Sequence, residues 1–273
     1  MVEECLYFVW NPLMASQHSR KPRSGARRGG APSSARSRYP IVDVLRGVAI
    51  VLMAAYHFAF DLNYFGAVRI DFYHNPFWLN LRTLIVTLFL LLVGVSLVLA
   101  HGSGIDWRGY VRRLARLFAA AVLVSAGSYA LFPGSMIFFG VLHFIFVASL
   151  LGLLFVRFGW SNLLAGSMLV LLGIVVQHPL FDQPWLQWFG LMTHKPVTED
   201  YVPLLPWFGV VMIGMFFGRR GLLEKPLPAL AGYQPTGGIA RLFALCGRHG
   251  LLLYLVHQPV LLGLVYLAVR LGR

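Results

Sequence analysis

Long apolar stretches recur along the chain from about residue 40 onward, and most approach the roughly 20 residues that a membrane-spanning α-helix needs. Their apolar positions are continuous rather than alternating, which favours helices over the strands of a barrel. We expect about seven spans, at 41–64, 79–100, 113–132, 137–156, 160–177, 204–218 and 250–269. The predicted fold is therefore all-α, a polytopic membrane helix bundle.

Composition supports this class and separates an N-terminal segment from the rest. The chain is 58% hydrophobic and 12% charged, about half the charged fraction of a soluble domain. From Gln17 to Arg38 it carries seven basic residues and no acidic one, and such a segment buries too little apolar surface to fold. We expect residues 1–39 to be a disordered basic tail and residues 40–273 to form the transmembrane domain.

The basic residues also predict an orientation. With the N-terminus in the cytoplasm, seventeen Lys and Arg fall on the inside and four on the outside, as the positive-inside rule requires. This placement explains the net charge of +13 without a nucleic-acid partner. We expect a multi-pass membrane protein whose partner is the lipid bilayer; a homo-oligomer is compatible with the sequence. The two cysteines, Cys5 and Cys246, have no metal-binding spacing, and no metal is expected.

The first span carries most of the chemistry. At about 100° per residue, Asp43, Arg46, His57 and Asp61 share one stripe of the helix. The spacing predicts an Asp43–Arg46 ion pair near the cytoplasmic end, and a His57–Asp61 pair toward the outer face in which the carboxylate sets the imidazole tautomer. Gly47 is small enough to admit a neighbouring helix. Buried ionisable residues usually mark function, although helix-packing contacts are the alternative explanation.

Other polar residues fall near the same outer level once orientation is applied. A group of histidines with a carboxylate and an arginine at one depth is a candidate reaction centre. Its further members are His74, Arg82, His143 and Trp207. His257 is expected nearer the cytoplasmic half of the last span, where it lines a cavity together with Gln258. Alternatively, it satisfies a backbone carbonyl that Pro259 leaves free.

Several segments resemble a known family. DVLRGVAIVLMAAYHFAFDLNYFG, GVLHF, PLLPWFGVVMIGMFFGR and LYLVHQPVLLG are similar to bacterial relatives of the heparan-α-glucosaminide N-acetyltransferase catalytic domain, over about residues 40–270. The resemblance implies a membrane acyltransferase that takes acetyl groups from cytosolic acetyl-CoA. The acceptor would be a sugar amine or hydroxyl of an envelope glycan or glycolipid across the membrane. The family's active-site histidine, in the loop after the first span, matches His74.

Acyl transfer needs a base for the acceptor's proton and a stabiliser for the developing oxyanion. His57 backed by Asp61 suits the first role, with His74 or His143 as a second acid/base, and Arg82 suits the other. Residues expected to bind substrate are Asp43, Arg46, Trp207 and His257. Arg46 with Arg112, Arg113 and Arg116 could receive the phosphates of CoA, although for the last three a solvated position that follows the positive-inside rule is the favoured interpretation. Two alternatives stay open: a proton-coupled transporter using the same buried His and Asp groups, and a b-type cytochrome with two histidine ligands.

Overall fold

The computed structural model describes residues 39–102 and 104–271, and this part of the chain is helical without strands. The helices are α1 Pro40–Tyr64, α2 Pro76–His101, α3 Trp107–Leu131, α4 Val141–Gly152, α5 Trp160–Val175, α6 Leu204–Gly218, α7 Pro228–Ala231, α8 Gly238–Arg248 and α9 Gly250–Leu271. All seven predicted spans therefore fall on helices, which confirms the all-α membrane class. The predicted tail lies, except for Tyr39, outside the described residues.

The helices that correspond to the seven predicted spans differ in length. In the described part of the chain, α1, α2, α3 and α9 are long and apolar enough to cross a bilayer, whereas α4 and α5 are shorter apolar helices. Helix α4 spans 12 residues, because the chain before Val141 forms a short 3₁₀ turn and an extended link instead of the predicted helical start. The number of membrane crossings and the cytoplasmic N-terminus stay predictions.

Two helix starts are set by side-chain caps. The carboxamide of Asn75 accepts a hydrogen bond from the Phe77 N–H at 2.9 Å and begins α2, and the Asp106 carboxylate accepts from the Gly109 N–H at 3.1 Å and begins α3. Such caps satisfy backbone donors that a helix N-terminus leaves free. Because α2 starts at Pro76, His74 lies in the loop just before it.

Helix α6 is at the centre of the bundle and packs against α2, α4 and α5. The core between them is apolar and fully enclosed. Its most buried side chains include Leu90, Val93, Phe144, Val211 and Met215. By contrast, α5 exposes large apolar side chains on the opposite face, including Leu164, Met168 and Leu171. An apolar exterior around an apolar core is typical of a bundle that lies in lipid.

Helix α1 packs against α8 and α9. A Cβ on Gly47 would collide with the backbone carbonyl of Phe243, and a Cβ on Gly247 would collide with that of Asp43. Only glycine permits this approach, as predicted for Gly47. The hydropathy pattern did not predict α8, because its apolar and polar faces average out over a long window. Helix α9 runs unbroken through Pro259.

Candidate active site

Two polar clusters lie along the inward stripe of α1. The first, here called the arginine node, consists of Asp43, Arg46, Ser96 and Gly247. Arg46 donates to the Asp43 carboxylate at 2.9 Å, to the Ser96 hydroxyl oxygen at 2.9 Å and to the Gly247 carbonyl at 3.3 Å. Both charged residues are buried. The predicted Asp43–Arg46 ion pair is therefore present, and it ties α1 to α2 and α8.

The second cluster, here called the histidine site, consists of His57, Asp61, His257 and Gln258, where α1 meets α9. The His57 and His257 rings are in contact, with centroids 5.1 Å apart and planes inclined at 58°. The Gln258 amide donates to Asp61 Oδ1 at 3.0 Å. Asp61 is buried, with 1% of its surface exposed.

This arrangement corrects two expectations. Among the described residues, no hydrogen bond or ion pair joins His57 to Asp61; the carboxylate pairs instead with Gln258 across the helix contact, because α9 packs on that stripe and supplies an amide donor. His257 lies at the depth of His57 rather than nearer the cytoplasmic half, because α9 is shifted along α1 toward the Tyr64 end. The rings touch, which leaves no room for a porphyrin between them.

The hydrogen bond of His257 to its own helix decides its tautomer. Its Nδ1 lies 2.6 Å from the Tyr254 carbonyl, and a carbonyl only accepts, so Nδ1 carries the hydrogen. The carbonyl that Pro259 would leave free is that of Leu255, one residue further on. In the neutral ring, Nε2 is therefore an acceptor with an open lone pair.

Three unsatisfied acceptor atoms lie together at the histidine site. Within the described residues, His257 Nε2, Asp61 Oδ2 and Gln258 Oε1 are buried and have no hydrogen-bond partner. All three are acceptors. Buried polar groups are normally paired, and unpaired ones are costly. Three such acceptors at one helix contact are typical of a site that a hydrogen-bond donor fills.

Comparison with known proteins identifies the family. Residues 38–259 match the model for the catalytic domain of heparan-alpha-glucosaminide N-acetyltransferase. The chain belongs to this family. No curated protein and no solved structure matches it. The matched range includes both polar clusters and ends at Pro259, just beyond His257 and Gln258. The chain is thus a membrane protein of an acetyltransferase family.

The structure places His74, which the resemblance suggested as the active-site histidine, in the loop between α1 and α2. Its side chain is 87% exposed, and its Nδ1 lies 3.1 Å from Asp71 Oδ2. The His74 backbone N–H also bonds Asp71, and these contacts lower the pKa of the Asp71 carboxyl. His74 is thus a surface residue, and none of its described contacts involves the histidine site.

His143 is held by hydrogen bonds on both sides of its ring. Its Nδ1 accepts from the Gly140 N–H at 3.3 Å, and its Nε2 lies 3.1 Å from the Ser125 hydroxyl. Because Ser125 donates its own hydrogen to the Ile137 carbonyl at 2.6 Å, Nε2 is the donor to Ser125. Both nitrogens are therefore engaged: Nε2 holds α4 against α3, and Nδ1 caps the start of α4 itself.

The two remaining predicted residues lie on α2 and α6. Arg82 is half-buried and within electrostatic range of Tyr56 and Lys195. The Tyr56 ring makes an edge contact with His57 at 6.0 Å between centroids, and Tyr56 is the link between Arg82 and the histidine site. Trp207 is half-buried and packs against the apolar core.

Sequence analysis missed two participants of this region, Tyr254 and Asp200, whereas Gln258 was expected to line a cavity with His257. The Tyr254 hydroxyl donates to Asp200 Oδ2 at 3.1 Å. Gln258 follows a candidate histidine and its polarity within an apolar run was a usable signal. Asp200 lies in a long loop without periodicity, and its signal was weaker: it is one of only 10 acidic residues in the chain.

Proposed function

We propose that this protein transfers an acetyl group from cytosolic acetyl-CoA to an amine or hydroxyl of an envelope glycan or glycolipid across a bacterial inner membrane. The chemistry takes place at the histidine site. His257 acts as the general base, with His57 beside it, and Asp61 with Gln258 binds the acceptor. The family to which the chain belongs supports acetyl transfer, while the donor, acceptor and direction are our proposal.

The observation that carries this proposal is the set of buried atoms without partners at the histidine site. His257 Nε2, Asp61 Oδ2 and Gln258 Oε1 all accept hydrogen bonds. A complementary ligand must donate, as an ammonium, amine or hydroxyl group does, and a carboxylate or phosphate would be repelled. The atoms thus suit the acceptor substrate better than the phosphates of CoA.

The reaction uses these atoms as follows. The acceptor nitrogen or oxygen attacks the carbonyl carbon of the thioester, and its proton passes to His257 Nε2. The new N–C or O–C bond forms and the C–S bond breaks. The imidazolium then returns the proton to the thiolate of CoA. The Tyr254 carbonyl holds Nδ1–H throughout and keeps the ring in one orientation.

Arg82 and the arginines near the arginine node have different proposed roles toward the substrates. Arg82, which Tyr56 links to the histidine site, is the proposed stabiliser of the oxyanion, the role expected from the sequence. At the arginine node the donors of Arg46 already bond to protein groups. We therefore assign Arg46 to holding α1, and the phosphates of CoA to the arginines of α3 at the same end, Arg112, Arg113 and Arg116.

The test uses inverted membrane vesicles that contain the full chain, with labelled acetyl-CoA outside and glucosamine as the acceptor probe inside. We expect label to move onto glucosamine. A parallel assay uses N-acetylglucosamine, in which the amine is blocked, and any label on it reports transfer to hydroxyls. His257→Asn keeps a polar side chain without a basic nitrogen and should lower the rate about 10²- to 10⁴-fold. His57→Ala should also reduce it strongly.

The matched control is His74→Ala, which removes an exposed histidine of the outer loop. Full transfer by His257→Asn would overturn the assignment of the base, and loss of transfer in His74→Ala alone would move the base to the loop. If wild-type vesicles transfer no acetyl group but take up a solute along a proton gradient, the protein is a transporter instead.

A further inference from the structure

Asp200, in the loop before α6, joins two helices through one oxygen atom. Its Oδ2 accepts from the Val141 N–H at the start of α4 at 2.8 Å and from the Tyr254 hydroxyl of α9 at 3.1 Å. Burial raises the pKa of Asp200, and the hydrogen bonds from Val141 and Tyr254 oppose that shift. A Cβ on Gly140 would collide with Oδ2, so the carboxylate fits only against glycine.

Tyr254 connects this contact to the histidine site. Its hydroxyl bonds Asp200, while its carbonyl receives the Nδ1–H of His257 at 2.6 Å. Tyr254, which fixes the orientation of His257, is therefore itself held by a residue outside α9. Any rotation or sliding of α9 that carried His257 away from His57 would break the Asp200 contact.

Helix α9 contacts α1 through the rings of His57 and His257 and through the Gln258–Asp61 hydrogen bond. Elsewhere it is sparsely packed: among its described residues only Gly250, Leu251 and Val265 are buried. Pro259 has no N–H, so the helical hydrogen bond to the Leu255 carbonyl is missing next to His257. The contact of Tyr254 with Asp200, one turn away, holds α9 from another side than α1 does.

We propose that Asp200 is a positioning residue: through Tyr254 it sets the rotation and depth of α9 and thereby holds His257 Nε2 toward the acceptor. The inference rests on the proposed function of His257. The role requires one oxygen that accepts two hydrogen bonds, and it does not require a negative charge.

The test compares Tyr254→Phe and Asp200→Ala with wild type in the vesicle assay. Each variant should lower kcat about tenfold to a hundredfold, because a small misplacement of a catalytic group is costly, while KM for acetyl-CoA stays unchanged. Asp200→Asn should retain activity within about threefold, because its amide oxygen can accept both hydrogen bonds. The double variant should be no slower than the slower single one, since both changes break the same contact.

The control is Ser135→Ala, which removes a hydrogen bond of 2.5 Å to Glu199 in the same outer region without touching α9. Its kcat should equal that of wild type, and melting of all variants in detergent verifies folding. An equal loss in Ser135→Ala, a multiplicative double variant or an inactive Asp200→Asn would overturn the inference, as would a fully active Tyr254→Phe. A wild-type protein that transfers no acetyl group would overturn the proposed function itself.

Discussion

The arginine node and the histidine site lie on the same stripe of α1, about 16 Å apart (eleven residues), but their hydrogen bonding differs. At the node, Arg46 donates to three acceptors on three helices. At the histidine site, three buried acceptors lack partners among the described residues. The node has the satisfied hydrogen bonds of a structural contact, whereas the site retains binding capacity for a ligand. The comparison separates a structural contact from the proposed site of chemistry within one helix.

The largest effect should come from breaking the node. Arg46→Met removes the 2.9 Å ion pair from the buried Asp43 carboxylate, which also lies 3.9 Å from Arg248 Nε, and breaking a buried pair costs about 3–5 kcal/mol. We expect a low yield of folded protein and a sharply lower Tm in detergent. His257→Met is the counterpart at the histidine site and should melt within a few degrees of wild type. Equal Tm values for the two variants would contradict the distinction.

The next effect concerns acceptor binding. Asp61→Asn removes the charge that would receive an amine or hydroxyl donor, and a hydrogen bond to a charged group is worth about 1.5–3 kcal/mol. KM for glucosamine should rise about tenfold to a hundredfold, with KM for acetyl-CoA unchanged. Ser96→Ala, which removes a hydrogen-bond acceptor from the arginine node, should alter neither KM value. A rise only in KM for acetyl-CoA would show that Asp61 belongs to the binding site of acetyl-CoA.

A smaller effect should be visible without turnover. A ligand that donates hydrogen bonds to the unpaired acceptor atoms stabilises the folded state, by about 2.7 kcal/mol when its concentration is a hundred times its Kd. Saturating glucosamine should therefore raise the Tm of wild type by several degrees and leave that of Asp61→Asn almost unchanged. An equal rise in both proteins would place the binding outside the histidine site.

The smallest effect should follow His74→Ala. This side chain is exposed and its contact with Asp71 is a surface ion pair, a type worth little. We expect a Tm within about 1 °C of wild type and a transfer rate within about twofold. Abolished transfer with an unchanged Tm would show instead that His74 takes part in catalysis, as the family resemblance implies.

Local spacing allowed the sequence to predict the node but not the pairings of the histidine site. Asp43 and Arg46 are three residues apart on one helix, and helical geometry alone brings them together. The contact of His57 with His257 depends on how far α9 is shifted along α1, which no spacing within either helix encodes. The predicted pairing of His57 with Asp61 failed for the same reason, because the competing donor comes from another helix.

Loop residues and amphipathic helices were the other features that the sequence did not predict. Asp200 becomes significant only because the loop before α6 brings it to Val141 and Tyr254 at once, and loop paths have no periodicity to follow. Helix α8 escaped the hydropathy pattern, although Gly47 correctly indicated a close neighbour. The sequence thus predicted which side chains face inward, while the partners across helices required the three-dimensional structure.

The bond between His257 and the Tyr254 carbonyl also limits where a proton can travel. A carbonyl oxygen cannot take a proton onward, so a proton that arrives at Nε2 has no exit through Nδ1. The imidazole can store one proton and return it to the side from which it came, but it cannot conduct protons across the membrane. A histidine bonded in this way suits a reaction in which one proton is taken up and returned in the same turnover.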